Sequence, residues 1–141
     1  MEEIERLLQD LDRIQWFAHA GDPVDDDCVI QVRSWDEAWE VQQDESTTGA
    51  SFHAEVDQSH PVWAQAYDRA YAAVERSGRN RELSPGNPVA RSAAWDSGGA
   101  AYQLATGKRD GFYLRLLDWY RRGHWPSGWS GTYPRGKMVV Y

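Results

Sequence analysis

Gly123-His124-Trp125-Pro126-Ser127-Gly128-Trp129-Ser130-Gly131-Thr132-Tyr133-Pro134-Arg135-Gly136 leads into Met138-Val139-Val140-Tyr141. This stretch separates an all-helical chain from one that also carries a sheet. Four Gly and two Pro impose a series of turns. Trp125, Trp129 and Tyr133 recur every four residues, but the prolines exclude a continuous helix. Rings of this size bury about 150–250 Å² each, so the segment reads as a rigid clamp tying a terminal strand to a core. The competing reading is a recognition loop. Met138 to Tyr141 has the β-branched content of a strand; the apolar run from Cys28 to Val32 reads as another, and Val29 to Val32 is the expected pairing partner. Cys28, at the start of that run, is expected to be buried, because free Cys is among the most buried residue types.

Upstream, the pattern is helical. Ile4, Leu7, Leu8, Leu11 and Ile14 follow the i, i+3, i+4, i+7 spacing of an amphipathic helix. Glu2, Glu3 and Glu5 suit its positive N-terminal dipole, and Trp16-Phe17 extends the apolar run as far as Gly21-Asp22-Pro23. Ser34-Trp35-Asp36-Glu37 is a capping box opening a short helix with Trp35, Ala38 and Trp39 on one face. Pro61 fits the first position of the next helix, with Ser59 or His60 as cap. Its stripe is Trp63, Tyr67, Ala70, Tyr71 and Val74, and Gly78 ends it. The segments 44–51 and 77–87 read as polar loops. Asn87-Pro88 opens a helix rich in small residues, which Gly98-Gly99 is expected to interrupt at about 1 kcal/mol per Gly; close backbone packing explains such a composition. Gly107 closes it. Asp110 is placed to cap the last helix, which buries Phe112, Tyr113, Leu116, Leu117 and Tyr120 before Gly123. The expectation is a single α+β domain over 1–141, mostly helical, with about five helices and a small sheet.

Charge is unevenly divided along the chain. Residues 1–57 carry sixteen acids against three Arg, whereas residues 58–141 carry six acids against twelve Lys and Arg. The net charge of −7 and pI of about 5.0 disfavour nucleic acid as a partner, and the basic residues are scattered rather than striped. One cysteine excludes an intrachain disulfide and fits a reducing compartment. The acidic N-terminus lacks the pattern of a signal peptide. No run approaches the roughly 18 apolar residues of a membrane span. A cytoplasmic location is expected.

Motifs for chemistry are missing. The four histidines show no metal-ligand spacing, and the 25–27 acids lack the ligand pattern of an EF-hand loop. Neither a nucleophile elbow nor a phosphate-binding glycine loop is present. No cofactor, metal or catalytic residue is therefore expected. An acidic half instead suits electrostatic steering toward a basic protein. The expected contact residues are Asp25, Asp26, Asp27, Asp36, Glu40, Asp44 and Glu45, with Trp39 as an apolar anchor. A second reading is a small-molecule site with aromatic walls from Trp16, Trp125 and Trp129, beside His19 and His124. A hydrolase using either histidine is a third.

Leu116-Leu117-Asp118-Trp119-Tyr120-Arg121-Arg122-Gly123-His124-Trp125-Pro126-Ser127-Gly128-Trp129, continued by Tyr133-Pro134-Arg135-Gly136-Lys137-Met138-Val139-Val140-Tyr141, resembles the C-terminus of small uncharacterised bacterial cytosolic proteins. Trp16-Phe17-Ala18-His19-Ala20-Gly21 and Ser34-Trp35-Asp36-Glu37-Ala38 resemble their N-terminal half. Similar sequences often carry Cys where Ser127 stands. Such proteins are associated with the immunity proteins of bacterial toxin systems. The resemblance implies a shared fold, and the association implies an inhibitor that neutralises a cognate toxin; the acidic N-terminal half suits a basic one. It carries over no catalytic residues.

Overall fold

A computed structural model describes residues 2–43, 55–83, 88–133 and 135–141. The expectations placed on residues 44–54, including the contact residues Asp44 and Glu45, lie outside the described residues. Among these residues, six helices and three strands follow in the order α1 (Glu2–Arg13), β1 (Val29–Gln31), α2 (Trp35–Gln43), α3 (Pro61–Ser77), α4 (Arg79–Leu83), α5 (Pro88–Ala105), α6 (Phe112–Arg121), β2 (Pro126–Ser130) and β3 (Lys137–Val140). The mostly helical α+β expectation holds. The additional helix is α4, in the segment read as loop; it starts directly after Gly78, whose left-handed φ of 72° ends α3.

Helix α1 buries Ile4, Leu7, Leu8 and Leu11, as its periodicity requires. It ends before Trp16 and Phe17, which fold back as a buried turn rather than prolonging the helix. Trp16 Nε1 donates to the Leu11 carbonyl at 3.1 Å, satisfying one of the acceptors that a helix end leaves open. In α3, the Nδ1 of His60 accepts from Val62 N at 3.2 Å, so His60 is the cap. The buried stripe of α3 is Ala66, Ala70, Ala73 and Val74. Trp63, Tyr67 and Tyr71 flank it as a half-buried row, with Tyr67 stacked between the other two rings at 5.0 and 6.2 Å.

Helix α5 runs unbroken through Gly98-Gly99, contrary to the expected interruption. Both glycines face rings from neighbouring helices. A Cβ on Gly98 would stand 2.8 Å from the Trp63 indole, and one on Gly99 would stand 2.6 Å from the Tyr113 ring. Tertiary packing thus outweighs the propensity cost of the pair. Gly99→Ala is expected to destabilise the protein by about 1–3 kcal/mol, because the overpacking penalty exceeds the roughly 1 kcal/mol gained in helix propensity. Urea denaturation checks this, and a stabilised variant would show that Tyr113 gives way freely.

Asp110 does not cap α6. Gln103, buried on α5, reaches across instead: its Oε1 accepts from Tyr113 N at 2.9 Å and Leu114 N at 3.4 Å. Gly111 leaves room for that amide, since a Cβ there would fall 2.1 Å from Oε1.

In the sheet, β3 lies between parallel β1 and antiparallel β2. Val29 to Gln31 is the parallel partner of the terminal strand, as expected. Strand β2 falls within the segment read only as turns. Trp125 and Tyr141 exchange two backbone hydrogen bonds of 2.8 Å, which seals the end of this ladder. The adjacent pair, Pro126 with Val140, then falls where an antiparallel ladder needs no N–H from the proline. A register shift between Pro126 and Gly128 accommodates Ser127, whose buried hydroxyl donates to the Val139 carbonyl at 3.3 Å. Trp125 is fully buried and Trp129 nearly so, and both bear out the clamp reading.

Candidate functional site

Three acids of α1, and Glu55, pair with cations from residues 58–141. Glu3 pairs with Arg109 at 2.7 Å, Asp10 with Arg121 at 3.2 Å, and Asp12 with Arg69 at 2.9 Å. Lys108 adds Glu55 at 3.6 Å. The charge division seen along the sequence is therefore folded against itself in part, at Glu3, Asp10, Asp12 and Glu55. Exposed pairs of this kind add little stability, but they neutralise Glu3, Asp10 and Asp12 locally.

The acids expected to meet a partner separate into two sets. Asp26 belongs to the scaffold: Oδ1 accepts from Cys28 N at 2.8 Å and Oδ2 lies 3.6 Å from Arg122. The Cys28 backbone hydrogen bond, with smaller help from Arg122, holds its carboxyl below the usual range. Asp25, Asp27, Asp36 and Glu40 are exposed and make no ion pair among the described residues. Ser34 Oγ accepts from Glu37 N at 3.2 Å, and Glu37 Oε2 accepts from Arg33 N at 2.9 Å, so the capping motif fixes the start of α2. Half-buried Trp39 stacks on Trp35 at 5.9 Å, and Trp35 stacks on Trp125 at 4.9 Å. The ring stack anchors α2 to the sheet and leaves its acidic residues outward.

Cys28 is exposed, in a turn ahead of β1, and not in the core as expected. Pairing with β3 begins only at Val29, so Cys28 has no sheet neighbour to cover it.

Trp16, Trp125 and Trp129 form no common pocket. Trp16 packs on Phe17 and Tyr120, Trp125 lies beneath Trp35, and Trp129 packs on Phe112 and Tyr133. The three indoles are at most 6% exposed. Each fills a different part of the core because strand pairing directs Trp125 and Trp129 inward. His19 is exposed and pairs with Asp22 at 3.0 Å; buried His124 lies 6.5 Å from it, ring to ring. Burial lowers the His124 pKa. No group of three or more metal-ligating side chains occurs among the described residues.

An aromatic cleft does exist, built from other residues. It has a volume of about 400 Å³ and lies between Trp39, Gln42 and Gln43 of α2, Tyr67 of α3, and Arg91, Trp95 and Asp96 of α5. Asp96 is 8% exposed, and its Oδ2 accepts from the Tyr120 hydroxyl at 2.6 Å. Burial pushes its carboxyl up to about 7, with the Tyr120 hydrogen bond opposing that rise. Burial, then the neighbouring Asp96, pushes the Tyr120 phenol well above its ordinary value. Sequence reading missed Asp96. The available signal was a lone acid within a helix of Ala, Ser and Gly, where a carboxylate has few routes to water.

Family models, curated proteins and solved structures contain no match to this chain. No helix among the described residues is long and apolar enough to cross a membrane.

Proposed function

We propose that this protein is a binding protein that engages a basic protein partner through the acidic surface of the 25–27 turn and α2. Its role on this reading is that of an immunity protein neutralising a cognate toxin. The supporting observation is selective: the α1 acids Glu3, Asp10 and Asp12 are matched by Arg, whereas Asp25, Asp27, Asp36 and Glu40 have no such partner among the described residues. An unmatched acidic surface attracts a cationic one and accelerates encounter. Many toxins that act on nucleic acid carry positive surfaces to hold phosphates, and an acidic inhibitor covers such a surface directly. Trp39 supplies an aromatic anchor beside these charges, the type of residue that dominates protein interfaces. Asp26 is excluded from the contact set because Cys28 N and Arg122 already engage it.

The test is to capture the partner from the native cells and follow its association by stopped flow across salt concentrations. The on-rate is expected to fall steeply as salt rises, because exposed charges act over a Debye length of about 8 Å at physiological ionic strength. Asp25→Asn, Asp27→Asn, Asp36→Asn and Glu40→Gln combined should flatten that slope. Each change at such an exposed position should alter folding stability by no more than about 0.5 kcal/mol. An on-rate indifferent to salt overturns the proposal.

A further inference from the structure

We infer that the cleft between α2, α3 and α5 is a receptor for an organic cation, an ammonium or guanidinium group seated among Trp39, Tyr67 and Trp95 and hydrogen-bonded to Asp96. Three features carry this. First, three helices each contribute an aromatic side chain to one concavity of about 400 Å³, a size suited to a small ligand or a single inserted side chain. Aromatic rings attract cations through their quadrupoles. Second, Asp96 lines this space while being more than nine-tenths buried. Tyr120 occupies Oδ2, and no described residue donates a hydrogen bond to Oδ1. Third, no Lys or Arg among the described residues pairs with Asp96. A buried carboxylate is costly without a counter-charge, and an entering cation supplies one. Arg91 lies at the rim but is exposed and makes no ion pair with Asp96.

The larger groove between α1, α3 and the end of α5, about 1270 Å³, lacks this chemistry. Its charged groups are exposed, and Glu3 and Arg109 there already satisfy each other.

An ammonium or guanidinium reaches the cleft either as a Lys or Arg side chain of a protein or as a free small molecule. The experiment separates these sources by titrating the protein with methylguanidinium and, in parallel, with a blocked arginine (Nα-acetyl-arginine methylamide). Binding is read from the Trp39 and Trp95 indole NMR signals. Saturable shifts of both signals are expected with at least one probe. Asp96→Asn should weaken binding by about tenfold or more, the loss expected for a charge-assisted hydrogen bond. Asp36→Asn combined with Glu40→Gln should change it by less than about twofold, since exposed charges contribute little to a contact within the cleft. That pair of variants separates this site from the surface proposed for partner association, so either proposal can fail alone. Tighter binding of the blocked arginine assigns the cleft to a side chain, and tighter binding of methylguanidinium assigns it to a free cation. Absence of saturable shifts with both probes overturns the inference, as does unchanged affinity in Asp96→Asn.

Discussion

Trp125→Ala is expected to cost about 3–5 kcal/mol of folding stability, the range for removing a large aromatic side chain from a core. The indole is fully buried and stacks on Trp35 at 4.9 Å, while its backbone exchanges two hydrogen bonds with Tyr141. Removing it leaves a cavity beneath α2 and loosens the end of the β2–β3 ladder. The loss should therefore extend to the helix that carries Asp36 and Glu40. Chemical denaturation measures the total cost, and amide exchange in α2 and β3 locates it. A variant with full stability that no longer binds a partner would make the C-terminal segment a recognition loop instead of a clamp.

Asp96→Asn is expected to stabilise the protein at pH 8 by about 2–4 kcal/mol. In the folded state burial raises this carboxyl to about 7, against 3.8 for an exposed one. Below the lower value both states hold the proton, and the group is neutral in each. Between the two values the unfolded chain releases its proton while the folded protein keeps it, so the contribution to stability falls as pH rises. Above about 7 the loss is complete and is on the order of 4 kcal/mol. Asn offers the Tyr120 hydroxyl a similar acceptor and cannot ionise. The two proteins should therefore converge in stability near pH 4 and diverge as the pH approaches 8. Urea melts of both across that range provide the check. His124 also has a shifted pKa, lowered by burial, but its effect largely cancels in the difference. A gap that does not widen with pH would mean that Asp96 is already compensated in the folded protein.

These two residues differ in how far they could be read from the chain. Trp125 stands in a segment whose glycines, prolines and rings already require rigid packing, and that reading holds. The strand that contains its neighbours was not legible, because Pro126, Ser127 and Gly128 have poor strand propensity. Pairing with β3 at a position that needs no proline N–H overrides that preference. Asp96 was passed over because its own turn of helix does not mark it as special. Its character comes from Tyr120, twenty-four residues later, and from the α2 and α3 residues that line the cleft above it. The surface expectations fared unevenly for a related reason. Exposure of Asp36 and Glu40 follows from helix phase once Ala38 is buried, whereas Asp26 is taken up by Arg122, nearly a hundred positions away.

What the sequence determined by itself is set within a few residues. The apolar phase of α1, the Ser34–Glu37 cap, the His60-Pro61 start of α3 and its stop at Gly78 all follow from contacts inside one or two helical turns. Tertiary structure alone decided the rest. It carried α5 through Gly98-Gly99 by packing Trp63 and Tyr113 against them, and it replaced the expected Asp110 cap with Gln103. It also matched Glu3, Asp10 and Asp12 of α1 with distant Arg residues, left Cys28 uncovered and enclosed Asp96 beneath an aromatic cleft. Each of these depends on atoms far apart in the chain, whose approach is fixed by burial and close packing and not by local propensity.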